Sequence, residues 1–117
     1  MKLFRILVIV IAMAVYTYTI YTGLHNGWNL FSVFFEDILN VTWRGQFNID
    51  FLSYLLLTAL WTSWRQKFSS LGIVLGMLAF VGGIMFLAPY ILHLIYKNDA
   101  NVHRILLGKN ITNESLK

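Results

Sequence analysis

The chain has 117 residues, of which 58% are hydrophobic and 12% are charged. Soluble domains carry roughly 25% charged residues, so this composition argues against a soluble helical bundle, and the length leaves no room for a second domain. The absence of cysteine excludes disulfides, thiolate metal sites and thiol nucleophiles, while the thinly spread net charge of +4 indicates membrane orientation and argues against nucleic-acid binding.

Three apolar segments, at about residues 3–24, 47–64 and 70–96, predict helices that cross a bilayer. Each reaches the lower limit of about 17 residues that a transmembrane helix needs. The first segment follows Lys2 and Arg5, as a secretory signal would, but it is longer than a signal's apolar run and lacks a small-x-small cleavage site. We therefore expect it to be retained. The predicted fold is an all-α transmembrane bundle of three spanning helices over residues 1–97, with a polar C-terminal tail at 98–117.

Residues 29–41, between the first two segments, predict an amphipathic interfacial helix that is too short to span. Its apolar arc holds Leu30, Phe31, Phe34, Phe35, Ile38 and Val41. Trp28 and Trp43 flank it, and Trp61 and Trp64 lie at the other membrane face, as expected of aromatic anchors at headgroup level. Two placements remain open. The helix lies flat on the outer leaflet, which we favour, or it folds inward as a re-entrant lid over the bundle.

Small residues recur on one face of the third segment, at Gly72, Gly76, Ala79 and Gly83. Their spacings of four, three and four predict a close helix contact. The partner is another helix of the same chain or, in the sharper alternative, a second copy of the chain. Farther along the segment, Pro89 removes one backbone hydrogen bond, which predicts a kink between Met85 and Pro89.

Three spans would place the N-terminus and the loop at 65–70 on one side of the membrane, and residues 25–46 and the tail on the other. The first side then carries four bases and no acid, and the second carries five bases beside all five acids. The numbers of Lys and Arg residues on the two sides are therefore nearly equal. The bases on the first side lie closer to the ends of the spans, which favours that side as the cytoplasmic one. We expect the N-terminus to be cytoplasmic.

A polar pocket in one leaflet is predicted around Asp50, the clearest ionisable residue within an apolar segment. Because successive spans cross the bilayer in opposite directions, six candidate ligand-binding residues would lie at the same depth in the membrane: Tyr21, His25, Asp50, Tyr54, Tyr90 and His93. The structural alternative is an acid in the first turn of the second span, favoured by the helix dipole, with Asn48 as the helix cap and Arg44 as a neutralising neighbour.

No catalytic constellation is recognisable in the sequence, so we expect no enzyme, no cofactor and no metal site. His25, Asp50 and His93 are possible metal ligands by type, but they lack the short local spacing of zinc motifs. An enzyme acting on a lipid or isoprenoid substrate remains an open alternative.

Several short motifs resemble a family of small, uncharacterised bacterial membrane proteins of about three spans. They are Trp43-Arg-Gly-Gln-Phe-Asn-Ile-Asp50, Tyr54-Leu-Leu-Leu57, Leu60-Trp61, Trp64-Arg65, Gly82-Gly83 and Ala88-Pro89-Tyr90. The resemblance covers roughly residues 29–96. It implies a helical protein of the bacterial inner membrane and supplies no catalytic residues.

Two functions follow from these features. The leading hypothesis is an accessory or interaction subunit that packs, as a homo-oligomer or in a larger membrane complex, through the glycine face of the third segment. The alternative is a homo-oligomeric small-molecule or proton-coupled transporter, or a ligand-binding protein, that uses the pocket around Asp50, His25 and His93. Both place the chain in a lipid bilayer.

Overall fold

The computed structural model describes residues 1–112, and these are all-helical, with no strand. Six α-helices follow one another along the chain: α1 (Lys2–Asn26), α2 (Leu30–Leu39), α3 (Trp43–Trp64), α4 (Ser70–Gly82), α5 (Ile84–Lys97) and α6 (Val102–Leu107). A short 3₁₀ turn, Gly108–Asn110, follows α6. The predicted all-α class is therefore confirmed. The last five residues of the tail, 113–117, lie outside the described part of the chain.

Side-chain caps fix the starts of three helices. Thr42, Ser69 and Asn101 each accept a hydrogen bond from the backbone N–H three residues later, at 3.1–3.2 Å, and so begin α3, α4 and α6. The start of α3 differs from our prediction, because Thr42 and not Asn48 is the cap.

The predicted third helix, at 70–96, is broken into two at Gly83. This residue adopts φ 58° and ψ −137°, a backbone conformation that only glycine adopts readily. The kink predicted between Met85 and Pro89 is therefore wrong in its position. At ~20 Å each, by a rise of 1.5 Å per residue, α4 and α5 are too short to cross a hydrocarbon core alone.

The two short helices form an antiparallel hairpin. α4 starts beside the end of α3, and its turn at Gly83 lies against Phe51 and Leu55, farther back along α3. α5 then returns, so that Tyr90 contacts Arg65 just beyond the end of α3. We call this end of the molecule the Arg65 end. α6 also packs at this end, where Arg65 donates to the Ile105 carbonyl. The prediction that the C-terminal tail lies opposite the N-terminus is wrong, because Met1 and Phe4 line one groove with Val102 and Ile105.

α1 runs antiparallel to α5. The Tyr16 hydroxyl donates a hydrogen bond to the Met85 carbonyl, while Phe4 lines one apolar groove together with Ile91 and Ile105. The start of α1 therefore lies at the Arg65 end. Of all the helices in residues 1–112, α1 is the one long and apolar enough to cross a membrane.

α2 packs along the first half of α3 as an antiparallel hairpin. Asn48 Nδ2 donates to the Phe34 carbonyl at 3.1 Å, and Gly45 lies directly against the Asp37 carbonyl, so that a Cβ there would be only 2.3 Å from the oxygen. α2 thus runs beside α3. Its placement in the membrane, flat on the outer leaflet or folded inward, stays a prediction.

The Tyr16 hydroxyl compensates for Pro89. Proline has no N–H, so the Met85 carbonyl four residues earlier loses its helical donor, and Tyr16 supplies another. We expect Tyr16→Phe to lower the free energy of unfolding by about 1–2 kcal/mol, because it leaves this carbonyl unsatisfied. Thermal unfolding in detergent would measure the loss. Tyr18→Phe is the matched control, since Tyr18 is 75% exposed, and equal losses in the two variants would contradict the role of Tyr16.

Candidate functional site

The six residues of the predicted pocket do not come together. Tyr21 and His25 pack against each other near the end of α1, with ring centroids 4.1 Å apart, and both are exposed. Tyr90 and His93 lie on α5 at the Arg65 end, the opposite end of the molecule. The pocket prediction placed α5 in the wrong direction, since it assumed one continuous third helix.

Asp50 does not occupy the first turn of its helix. α3 begins at Trp43, so Asp50 lies two turns inside it, where it is exposed. Arg44 pairs instead with Asp37, at 3.8 Å between Nε and Oδ1, and Asn48 bonds to α2. All three parts of the structural alternative for Asp50 are therefore wrong. Within residues 1–112, no cluster of three His, Asp or Glu side chains is arranged to hold a metal ion.

The glycine face of α4 is occupied by α3. Gly72, Gly76 and Ala79 are buried, and a Cβ added to Gly76 would lie 2.2 Å from Ser63 Oγ and 3.0 Å from the Ala59 carbonyl oxygen. Ser63 Oγ also donates to the Gly72 carbonyl at 3.0 Å. The small residues thus serve an intramolecular contact, so a partner chain has to use another face.

Arg65 lies at the point where α3, α5 and the tail converge. Although charged, it is only 3% exposed. Its guanidinium donates from Nε to the Ile105 carbonyl at 2.9 Å, from Nη1 to the Tyr90 hydroxyl at 2.9 Å and from Nη2 to the Arg104 carbonyl at 3.2 Å. It lies 5.9 Å from the ring centroid of Trp61 and 5.8 Å from that of Tyr90, within the range of cation–π attraction.

The tail closes over the end of α3 through further hydrogen bonds. The Arg65 carbonyl accepts from the Lys109 N–H at 2.7 Å, Trp61 Nε1 donates to the Leu106 carbonyl at 3.1 Å, and Asn110 Nδ2 donates to the Trp64 carbonyl at 2.7 Å. Ile105 joins Leu94 and Ile95 in the buried apolar cluster beneath them. The predicted anchors Trp61 and Trp64 are thus parts of this junction, while Trp28 and Trp43 are 66% and 77% exposed.

A groove of about 590 Å³ lies between the start of α4, the end of α5 and the tail. Arg65 contributes to it, and the other basic or titratable residues lining it are Tyr90, His93, Lys97, Arg104 and Lys109. No acidic residue of the described chain lines it. We call this site the basic groove. Its chemistry suits an anion, because four permanent cations converge without a carboxylate among them.

Sequence reasoning treated Arg65 as a base flanking a span and therefore missed this site. The available signals were a short apolar run at 102–107 after a capping asparagine, and the closely spaced bases of the tail. Neither indicates by itself that the tail folds back onto α3. Comparison of the chain with protein-family models, curated proteins and solved structures finds no match.

Proposed function

We propose that this chain is a small integral membrane protein, in which α1 crosses the bilayer by itself and the less apolar α3, which has 22 residues, crosses it packed against α2 and α4. The α4–α5 hairpin enters the bilayer from the Arg65 end without crossing. The support is its exposed apolar surface. Only 6% of the most apolar part of α1 is buried by the rest of the chain, and side chains such as Leu3 and Val81 are 83% and 72% exposed. Apolar surface this extensive indicates a membrane or protein partner.

The hairpin meets the requirement that backbone at membrane depth be covered by protein. Its turn at Gly83 is buried against Leu55 and Phe51 of α3, and Phe34 of α2 shares an apolar groove with Phe51 and Phe80. The carbonyl that Pro89 would leave unpaired is satisfied by Tyr16. α1 joins this arrangement through α5, where Tyr16 bonds to the Met85 carbonyl, and Val8 is only 5% exposed.

The distribution of charge supports a cytoplasmic Arg65 end. Seven of the eight Lys and Arg residues within 1–112 lie there, and Arg44 alone lies at the other end. The seven are Lys2, Arg5, Arg65, Lys67, Lys97, Arg104 and Lys109. A continuous third span would leave nearly equal numbers of Lys and Arg residues on the two sides of the membrane. With the hairpin the two numbers differ strongly, and an excess of these bases is typical of the cytoplasmic side of inner-membrane proteins.

Within this topology, the chain acts as a non-enzymatic accessory or interaction protein that binds a negatively charged partner at the cytoplasmic membrane surface. The observation that carries this function is the folded Arg65 end, where a buried arginine holds the tail over a groove lined by bases and by no acid of the described chain. A transporter built on Asp50, His25 and His93 receives no such support, because His93 lies far from the other two.

Cysteine labelling tests the topology cleanly, since the chain has no cysteine of its own. We expect Asn29→Cys to react with a membrane-impermeant maleimide in intact bacterial cells. Ser70→Cys and His103→Cys should react only after the membrane is permeabilised, because both lie at the Arg65 end. Labelling of His103→Cys together with Asn29→Cys in intact cells would show that α4 and α5 cross the bilayer as one span, and would overturn the proposal.

A further inference from the structure

We propose that the basic groove binds the phosphate headgroup of an anionic amphiphile. This inference rests on the proposed function, which places the groove at the membrane surface, and it names the ligand class. Three features of the groove point to this ligand: its excess of positive charge, the burial of Arg65, and the apolar wall contributed by α4.

The charge at this end of the molecule has little internal compensation. Seven Lys and Arg residues lie there beside a single acid, Asp99, among the residues that the structure describes. Asp99 does not line the groove, and the one ion pair in residues 1–112, between Arg44 and Asp37, lies at the far end of the molecule. A dianionic or monoanionic phosphate would supply the missing negative charge.

Arg65 makes the groove a fixed site and not a mobile patch of surface bases. Its guanidinium is held by bonds to two backbone carbonyls and the Tyr90 hydroxyl, and none of these acceptors carries a charge. No carboxylate bonds to this buried cation, so its charge can attract an anionic ligand bound nearby. Lys97 and Lys109 approach the groove from α5 and from the tail, and both are exposed.

The apolar wall indicates an amphiphile. Leu71 and Leu75 of α4 and Leu94 of α5 line the same groove as the bases. Leu71 is 56% exposed and lies one helical residue from the start of α4, where the hairpin enters the proposed bilayer. A lipid whose headgroup contacts the bases would therefore lay its first acyl carbons along these leucines.

Native mass spectrometry of the full chain, released from micelles that contain either phosphatidylglycerol or phosphatidylcholine with the same acyl chains, tests this proposal. We expect clear preference for phosphatidylglycerol, because the ammonium group of phosphatidylcholine cancels the phosphate charge. The double variant Lys97→Gln/Lys109→Gln should weaken phosphatidylglycerol binding by about tenfold, as loss of two charge-assisted contacts predicts. The matched control is Lys2→Gln/Lys67→Gln, which removes the same net charge at the same end but outside the groove, and it should bind like the parent.

Competition with inorganic phosphate distinguishes a lipid headgroup from free phosphate as the ligand. Displacement of the lipid by millimolar phosphate would show that the phosphate group alone is recognised, whereas retention of the lipid would show that the acyl chain is also required. Equal binding of the two lipids, or equal loss in both double variants, would overturn the proposal. Binding in micelles does not depend on orientation in a cell, so failure here and failure of the labelling experiment are distinguishable.

Discussion

Replacement of Arg65 by lysine is expected to release the C-terminal tail from α3 and to lower the free energy of unfolding by about 2–4 kcal/mol. Lysine keeps the charge but cannot reproduce the planar fork that reaches Ile105, Tyr90 and Arg104 at the same time. The lysine ammonium would remain at a position where Arg65 is only 3% exposed, and it would make fewer hydrogen bonds there. Unfolding in detergent, followed by tryptophan fluorescence, measures the loss directly, since Trp61 belongs to the junction.

Limited proteolysis provides a second readout for the same variant. Release of the tail should make the chain beyond residue 97 more readily cleaved, because local opening exposes its backbone. Arg44→Lys is the matched control. The Arg44 side chain is 79% exposed and makes a single ion pair at 3.8 Å, so its replacement should change stability by less than about 0.5 kcal/mol. If the two variants unfold alike, the Arg65 junction does not hold the tail.

Gly76→Leu is expected to separate α4 from α3 and to cost about 3 kcal/mol or more. Even a Cβ at this position would lie 2.2 Å from Ser63 Oγ and 3.0 Å from the Ala59 carbonyl oxygen. The backbone oxygen cannot rotate away, so the helices must move apart. Chemical or thermal unfolding at several protein concentrations measures the effect, and a loss that does not vary with concentration identifies the contact as intramolecular.

Two further variants define the contact. Val74→Leu adds bulk on the exposed face of the same helix, where Val74 is 54% exposed, and should be nearly neutral. Ser63→Ala removes the nearest oxygen, so the double variant Ser63→Ala/Gly76→Ala should recover part of the loss caused by Gly76→Ala alone. Recovery stays partial because the Ala59 carbonyl remains. Loss of a dimer in Gly76→Leu, with no change in the stability of the monomer, would contradict the intramolecular contact.

The position of the helix break shows why local signals mislead here. Pro89 is the stronger helix breaker by propensity, yet it lies within α5, and the carbonyl that it leaves unpaired is satisfied by Tyr16, 69 residues earlier in the chain. In the sequence, Gly83 is simply the last of the small residues on one face of the third segment. In the structure, the chain reverses its direction at this residue, between α4 and α5. The residues on both sides of it are predominantly apolar, so the pattern is the same for a spanning helix and for a hairpin.

The candidate site was beyond sequence reasoning for a related reason. A base next to the end of an apolar segment normally lies in water, and nothing near Arg65 in the sequence indicates its burial. Its acceptors come from residues 90, 104 and 105, which are 25–40 positions away. The reversal at Gly83 brings them together, and the same reversal separates His93 from Asp50.

By itself, the sequence determined the helical class, the starts of α1, α2 and α4, the excess of apolar surface and the scarcity of acids near the tail, because these properties depend on composition and short-range periodicity. The tertiary structure alone decided the direction of α5, the end at which the tail packs and the burial of Arg65. These depend on one glycine's backbone angles and on contacts between distant residues, and a hydropathy pattern has the same period whichever way a helix points.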